Sequence, residues 1–169
     1  MRVFKKILPL LAAFAFTGCA SYHLGPVMDK GDDKTVEILP FNNQTLQPRL
    51  GDSLTKALRQ RLQTDATYHL DTHGTGDIVI TGVISQYRRG AVGYASNDAL
   101  TPENYRIETL VHVTARERST GKLLLDRDVK GRTLVHVGAD LASSERQALP
   151  LVSEELAEKI ISLLTEGAW

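Results

Sequence analysis

The chain has very little cysteine and tryptophan, because its 169 residues include only one of each, Cys19 and Trp169. A single cysteine excludes a disulfide within the chain, so the fold depends on its hydrophobic core. An excess of charge is also lacking, since 20 basic residues balance 20 acidic residues. The chain therefore has no overall attraction for nucleic acid, and any anion site needs a local cluster of basic residues.

The N-terminus has the layout of a secretory signal peptide. Arg2, Lys5 and Lys6 precede an apolar run from Ile7 to Phe16, and small residues follow it. The run of about ten residues is half the length of roughly 20 needed to span a bilayer, so it does not predict a permanent anchor. Residues 1–18 are therefore predicted to be a signal peptide that directs export.

The single cysteine stands where cleavage of that peptide would fall. Thr17-Gly18-Cys19 resembles the lipobox of bacterial lipoproteins, although Phe16 occupies a position that is usually Leu. The resemblance implies a diacylglycerol and palmitate on Cys19, and each buried methylene adds ~0.8 kcal/mol of membrane affinity. Ala20, in place of the Asp that retains such proteins at the inner membrane, implies the periplasmic side of the outer membrane. The alternative is a buried structural thiol near an ordinary cleavage site.

Downstream of the cysteine, the pattern predicts a tether over residues 19–34 and one domain over residues 35–169. Apolar alternation predicts strands, and leucines spaced by four residues predict the first helix. The fold class is α+β: a two-layer sandwich with two helices on one face of a four-stranded mixed sheet, in the order β-α-β-β-β-α. The predicted strands are 35–41, 77–87, 105–114 and 123–135, the helices cover 50–62 and 148–164, and residues 90–104 form a long loop. The first strand is predicted to end in a turn at Asn42-Asn43, and Pro48 suits the first turn of the first helix. Ser143 or Ser144 is a candidate cap for the last helix and Gly167 its predicted end, while Lys130 and Arg132 are predicted to face water on the last strand.

The sequence does not predict an enzyme, a metal site or a cofactor. His69 and His73 are four residues apart, but Asp71 and Gly74 predict a turn there instead of a helix, and no cysteine is close enough to complete a zinc site. No Gly-x-Ser-x-Gly elbow is present. Asp126 and Asp128 share one side of a predicted strand, where a solvated edge explains them better than an acid–base pair.

Basic and aromatic residues gather at the ends of the predicted long loop. Arg88 and Arg89 precede the loop and Arg106 follows it, so antiparallel pairing of the flanking strands is predicted to bring the three together. Guanidinium groups bind phosphate in bidentate fashion, which suits an anionic glycolipid head group. The alternative is that these are edge charges that oppose aggregation. Three tyrosines around the same loop are a candidate partner interface or a cover for the sheet end: Tyr87, Tyr94 and Tyr105.

Several short segments together resemble the lipopolysaccharide-assembly lipoprotein LptE family. They are Ser21-Tyr22-His23-Leu24, the segment Glu37–Thr45, Gly82-Val83-Ile84-Ser85-Gln86-Tyr87, Tyr105-Arg106-Ile107, Thr120-Gly121-Lys122 and the closing helix from Leu156 to Trp169. The resemblance implies a two-helix, four-stranded domain inside an outer-membrane β-barrel, LptD, where it assists barrel assembly and the delivery of lipopolysaccharide to the outer leaflet.

A second resemblance keeps another class of lipoprotein open. Ile38-Leu39-Pro40-Phe41-Asn42-Asn43 is also similar to the opening strand of the curli-secretion lipoprotein CsgG and of activators of cell-wall synthases. A pore of the first kind needs lipid-facing strands of about 9 to 11 alternating residues. The predicted strands carry charges on their outer face, which disfavours a pore.

Overall fold

The structure is a computed structural model that describes residues 34–65, 67–95, 98–137 and 140–166. The predicted signal peptide, the lipid site at Cys19, the tether up to residue 33 and the predicted helix end at Gly167 lie outside the described residues. The predictions made for them remain predictions.

The described residues form six strands and two helices. Their bounds are β1 Thr35–Ile38, β2 Asn42–Asn43, α1 Leu50–Thr64, β3 His69–Asp71, β4 Ile78–Ala95, β5 Asp98–Glu117, β6 Leu123–His136 and α2 Leu141–Thr165.

The strands make one mixed sheet in the order β3-β1-β4-β5-β6, with β2 also paired to β4. The β1 strand runs parallel to both β3 and β4, whereas β4, β5 and β6 form an antiparallel meander. An α+β fold with two helices and a mixed sheet is therefore confirmed, and the meander has the antiparallel pairing that alternation predicted.

One core cluster joins the helices to the sheet. Leucines of α1 and the apolar face of α2 pack against alternate residues of the strands, as the spacing predicted. A hydrogen bond of 2.9 Å from Ser153 Oγ to Ser53 Oγ links the two helices where Ser153 is fully buried. The fully buried apolar side chains include Val36, Ile38, Leu54, Leu58, Ile80, Ile84, Val111, Leu156 and Ile160.

The predicted count of four strands was wrong because β2 and β3 were not recognised. Strands of two and three residues are too short to show an alternating period. Asn42 and Asn43, predicted as a turn, pair with Val83 and Ile84 of β4. The turn comes next, and Asn43 builds it, since its side chain accepts a hydrogen bond from the Thr45 N–H and donates one to the Gln47 carbonyl.

The predicted long loop at residues 90–104 was also wrong. The β4 and β5 strands continue through it and stay paired as far as Ala95 and Asp98. Gly93 and Pro102 suggested a loop, but they lie where the register of the pairing shifts. A Cβ at Gly93 would lie 2.8 Å from Asn104 Nδ2, so this glycine leaves room for the Asn104 side chain.

The α1 helix begins where predicted, whereas α2 begins earlier, and the residues around both starts differ from the prediction. The α1 helix begins at Leu50, after Arg49 in a left-handed conformation (φ 62°), so Pro48 precedes the helix instead of lying in its first turn. The α2 helix begins at Leu141, and the side chain of Asp140, not that of Ser143 or Ser144, caps it by accepting a hydrogen bond from the Ser143 N–H at 2.7 Å. Pro150 lies inside α2.

Asp77 ties the start of β1 to the start of β4. Its Oδ2 accepts hydrogen bonds from the Thr35 N–H at 2.9 Å and the Thr35 hydroxyl at 2.8 Å, and the Asp77 N–H donates to Thr35 Oγ1 at 3.1 Å. The bonds from the Thr35 backbone and hydroxyl hold the pKa of Asp77 below its usual value. A carboxylate with a lowered pKa stabilises the fold above its unfolded pKa of about 3.9, and that contribution is lost as the pH falls through the folded pKa.

We therefore expect Asp77→Asn to flatten the acid limb of the stability profile. Asparagine can still accept from Thr35 but does not titrate, so thermal unfolding midpoints of the variant should fall less steeply than those of the wild type below about pH 4. The measurement is thermal unfolding followed by circular dichroism from pH 3 to pH 7. Parallel profiles for the two proteins would contradict the assignment.

Candidate functional site: a cationic cluster on the helix-free sheet face

A bulge in β4 decides which side chains reach the sheet face that carries no helix, here called the helix-free face. Ile84 pairs with Val111 and Gln86 pairs with Leu110, so Ser85 is an extra residue. Beyond the bulge, Tyr87 and Arg89 face α2 and contact its Glu145. Successive side chains of a strand point to opposite faces, so Gln86 and Arg88 lie on the helix-free face.

Four basic residues lie close together at one end of this face, and they are called the cationic cluster: Arg88, Arg106, Lys130 and Arg132. The register pairs Glu108 with Arg88 on one side and with Arg132 on the other, and it pairs Gly90 with Arg106. Arg88 and Arg106 are therefore diagonal neighbours on adjacent strands. All four are exposed, and within the described ranges none of their side chains forms an ion pair. One carboxylate among four cations leaves a surplus of positive charge.

A cleft of about 310 Å³ lies along the cluster, and its lining includes Arg88, Glu108, Lys130, Arg132 and Lys159. Lys159, from α2, donates to the Lys130 carbonyl at 2.8 Å and to Glu155 at 2.7 Å. Partial burial opposes ionisation of Glu155, but hydrogen bonds from Lys159 and from the Arg132 N–H hold its pKa below the usual range. The charge of Lys159 is thus balanced by Glu155, whereas the cluster beside it is not.

The register brings Arg88, Arg89 and Arg106 close together, as predicted, but Arg89 lies on the opposite face of the sheet and does not belong to the cluster. A role of Arg89 in binding lipopolysaccharide stays a prediction. Arg89 Nη1 lies 2.7 Å from Glu145 Oε1, and its guanidinium carbon lies 5.6 Å from the centre of the Tyr105 ring. The extra residue at Ser85 does not change the alternation between Arg88 and Arg89, which are adjacent and therefore face opposite ways.

The three predicted interface tyrosines are in different settings. Tyr87 is half-buried and its hydroxyl donates to Glu145 at 3.2 Å, and burial together with the negative charge of Glu145 raises the pKa of Tyr87. Tyr105 lies under Arg89, so it too belongs to the side that faces α2. Tyr94, near the end of β4, is 51% exposed. A role of any of them in partner binding stays a prediction.

Lys130 and Arg132 were missed as site residues, although the sequence placed them on the water-facing side of β6. Only the pairing register shows that they lie beside Arg88 and Arg106, because Glu108 and Leu110 of β5 separate the two outer strands. The alternation of Asp128, Lys130 and Arg132 was the available signal, but it does not specify the register.

His112, Asp126 and Asp128 lie together at the other end of the helix-free face. His112 lies between two carboxylates of β6, with Nε2 3.0 Å from Asp126 Oδ1 and Nδ1 2.9 Å from Asp128 Oδ1. His69 lies in β3 and not in a turn. The part of the chain that the structure describes contains no group of three or more His, Cys, Asp or Glu side chains placed to hold a metal ion. None of its helices is long and apolar enough to cross a membrane.

Comparison with solved structures shows that the fold is shared by several bacterial proteins at low identity. The protein CT253 from Chlamydia trachomatis superposes with a TM-score of 0.57 at 11% identity, over 80% of this chain and 97% of that chain. A minor lipoprotein from Acinetobacter baumannii gives 0.53 at 16% identity, over 79% and 94% of the two chains. PelC from Paraburkholderia phytofirmans, solved as a dodecamer, gives 0.51 at 17% identity, over 83% and 94%. These likenesses establish the fold alone.

Sequence comparison identifies the family. No curated protein sequence matches the chain. A family model does match: it covers residues 34–164, and its description is "LptE: Lipopolysaccharide-assembly". The matched range includes every strand and nearly all of α2. The chain belongs to the LptE lipopolysaccharide-assembly family.

Proposed function

We propose that this chain is a non-enzymatic, lipid-anchored subunit of the lipopolysaccharide translocon at the periplasmic side of the outer membrane. Acyl chains on Cys19 hold it there, and it assists the assembly of an LptD-type β-barrel and the delivery of lipopolysaccharide to the outer leaflet. Family membership over residues 34–164 supports a role in lipopolysaccharide assembly. The barrel partner, the membrane and the lipid anchor are parts of the proposal.

The cationic cluster is the observation that supports direct contact with lipopolysaccharide. Arg88, Arg106, Lys130 and Arg132 are exposed on one sheet face with Glu108 as the carboxylate between them. Mutual repulsion makes such a cluster costly unless an anion neutralises it. Phosphate groups accept bidentate hydrogen bonds from guanidinium, and each charge-assisted bond contributes roughly 1.5–3 kcal/mol. A phosphorylated glycolipid head group therefore supplies the negative charge and the hydrogen-bond acceptors that would neutralise this face.

We expect the double change Arg88→Ala and Arg106→Ala to weaken binding of lipopolysaccharide at least tenfold, since the loss of two charge-assisted contacts costs more than about 1.4 kcal/mol. The measurement is the affinity of the full chain in detergent for fluorescent lipopolysaccharide. Affinity of the wild type should fall as salt rises, because exposed charges are screened.

Two single variants serve as controls. Arg127→Ala removes an exposed charge of β6 outside the cluster, and it should leave the affinity unchanged. Arg89→Ala tests the remaining predicted arginine, which is bound to Glu145 on the other face, and it too should have little effect. An unchanged affinity in the double variant, or an equal loss in Arg127→Ala, would contradict a role of the cluster in binding lipopolysaccharide. It would favour the alternative that these residues are edge charges that oppose aggregation.

A further inference from the structure

The edges of the sheet are closed in different ways. The β3 edge has only three residues, too few to guide another strand. Along β6, side chains of α2 occupy two of the free backbone groups near the middle of the strand: Glu155 accepts from the Arg132 N–H, and Lys159 donates to the Lys130 carbonyl at 2.8 Å. Short strands and side-chain caps are two ways in which proteins prevent unwanted strand pairing.

A third edge is left open where β4 extends beyond β2. Pairing with β2 ends at Asn43 and Ile84, and the last backbone bond is from the Gln44 N–H to the Ile84 carbonyl at 3.0 Å. The chain then turns away into α1. Residues 86–94 of β4, here called the arm edge, pair with β5 on one side, and no strand of the described chain pairs with them on the other.

The register shows which backbone groups the arm edge presents. Before the bulge, the carbonyls of Ile80 and Ile84 point away from β5, toward Leu39 and Gln44. These residues face the helices, and β5 continues without a bulge opposite residues 86–91. In an antiparallel strand, each residue directs its N–H and C=O groups to the same side, and the side alternates from one residue to the next. The helix-facing residues after the bulge therefore also direct these groups away from β5. They are Tyr87, Arg89 and Ala91.

The arm edge is supported from behind and from one face. The β5 strand pairs with β6 as far as Asn104 and His136, so the arm is part of a three-stranded sheet. On the helix side, Ile107, Val135 and Ala148 form a small buried cluster that packs α2 against β5 and β6, and Tyr87 of the arm edge packs against this cluster. Glu145 of α2 holds both Tyr87 and Arg89. A supported strand with unpaired backbone groups is a preformed template for strand addition.

We propose that an extended segment of the β-barrel partner adds to the sheet at the arm edge, with a carboxylate next to Arg88. This inference rests on the proposed function for the identity of the partner. The charge of the face favours an acidic segment of the partner over a second copy of this chain as the added strand. Arg88 is exposed and forms no ion pair within the described residues, and Arg106 is its diagonal neighbour on β5. A second copy would place two cationic clusters on the same face of a continuous sheet, which is unfavourable, whereas an acidic strand neutralises Arg88.

Photocrosslinking in intact outer membranes tests this pairing. A benzophenone side chain is introduced at Gln86, Gly90 or Val92 of the arm edge and, as controls, at Arg127 or Leu134 of β6, all of which are exposed. A Cβ at Gly90 would meet nothing within 4 Å, so this position accepts a side chain. We expect the three positions of the arm edge to crosslink to one segment of the barrel. The crosslinked site should move along that segment as the benzophenone moves along the arm edge. The β6 positions should not crosslink to that segment.

A backbone variant tests the hydrogen bonds themselves. Ala91→Pro removes an outward N–H but no bond to β5, and Ala91→Ser is the matched control that keeps the N–H. Loss of one bond of about 1 kcal/mol predicts a crosslink yield from Gln86 reduced about fivefold in Ala91→Pro and unchanged in Ala91→Ser. If Ala91→Pro does not fold, the positional scan decides the proposal by itself.

The outcomes separate this inference from the function on which it rests. Recovery of the barrel with the wild type, but without crosslinks in step from the arm, overturns strand addition and leaves the proposed function standing. Adducts between two copies of this chain overturn the named occupant. Failure to recover any barrel overturns the proposed function, and the named occupant with it.

Discussion

Gly82→Ala is expected to destabilise the fold by about 2 kcal/mol, even though it adds a single methyl group. A Cβ at this position would lie 2.3 Å from the ring of Phe41 and 2.8 Å from the His112 carbonyl oxygen. Phe41 is buried, and the carbonyl belongs to the backbone of the paired β5 strand, so neither can move away cheaply. For a domain of this size the loss corresponds to a fall of roughly 5–10 °C in the unfolding midpoint.

A second glycine of the same strand provides the control. Gly90 has no atom within 4 Å of an added Cβ, so Gly90→Ala should be neutral or stabilise the strand by a few tenths to about 1 kcal/mol. Chemical denaturation of both variants measures the difference in the free energy of unfolding. Equal stabilities of the two variants would contradict the close packing of Phe41 against Gly82.

Cys19→Ala is expected to reduce at least tenfold the fraction of the chain that binds lipid vesicles free of the barrel partner. Each buried methylene contributes ~0.8 kcal/mol, so the predicted acyl chains supply far more membrane affinity than any other feature of the sequence. The measurement is membrane flotation together with palmitate labelling, and the wild type should carry the label whereas the variant should not.

Ala20→Asp is the matched control for the lipid site. It keeps Cys19, so the variant should still carry palmitate, but by resemblance to inner-membrane lipoproteins it should move to the inner membrane fraction. An unlabelled wild-type protein, or a Cys19→Ala variant that floats with lipid vesicles free of the barrel partner, would show that the cysteine is not the anchor.

Much of the fold could be predicted because long elements repeat their pattern. Four leucines at a spacing of four residues define α1, and alternation through Val111 and Val113 defines β5. Asn42-Asn43 and residues 69–71 could not be recognised, since their pairing with β4 and β1 depends on neighbours distant in sequence. Strand propensity depends strongly on such context.

Two of the segments that carry the family resemblance, Glu37–Thr45 and Gly82–Tyr87, contact each other in the structure. Asn42 and Asn43 pair with Val83 and Ile84, and Phe41, just before them, packs against Gly82. The first segment supplies a strand and an aromatic ring, and the second supplies the partner strand and the space. Reading either segment by itself gives only a strand.

The candidate site was predicted in part for the same reason. Arg88 and Arg106 could be brought together by assuming antiparallel pairing, but the face that Arg88 occupies depends on the bulge at Ser85. Alternation places the adjacent residues Arg88 and Arg89 on opposite faces, so only Arg88 shares the helix-free face with Arg106. Lys130 and Arg132 required the register between β5 and β6, which no pattern in the sequence specifies.

Extraction of the wild-type chain from outer membranes with mild detergent, after crosslinking, tests the central claim most directly. The mass of the crosslinked partner identifies what the chain binds. A lipid-anchored subunit of the lipopolysaccharide translocon should be recovered with one large outer-membrane β-barrel of the LptD type. Recovery only as a monomer, or as a closed ring of identical copies, would contradict the account.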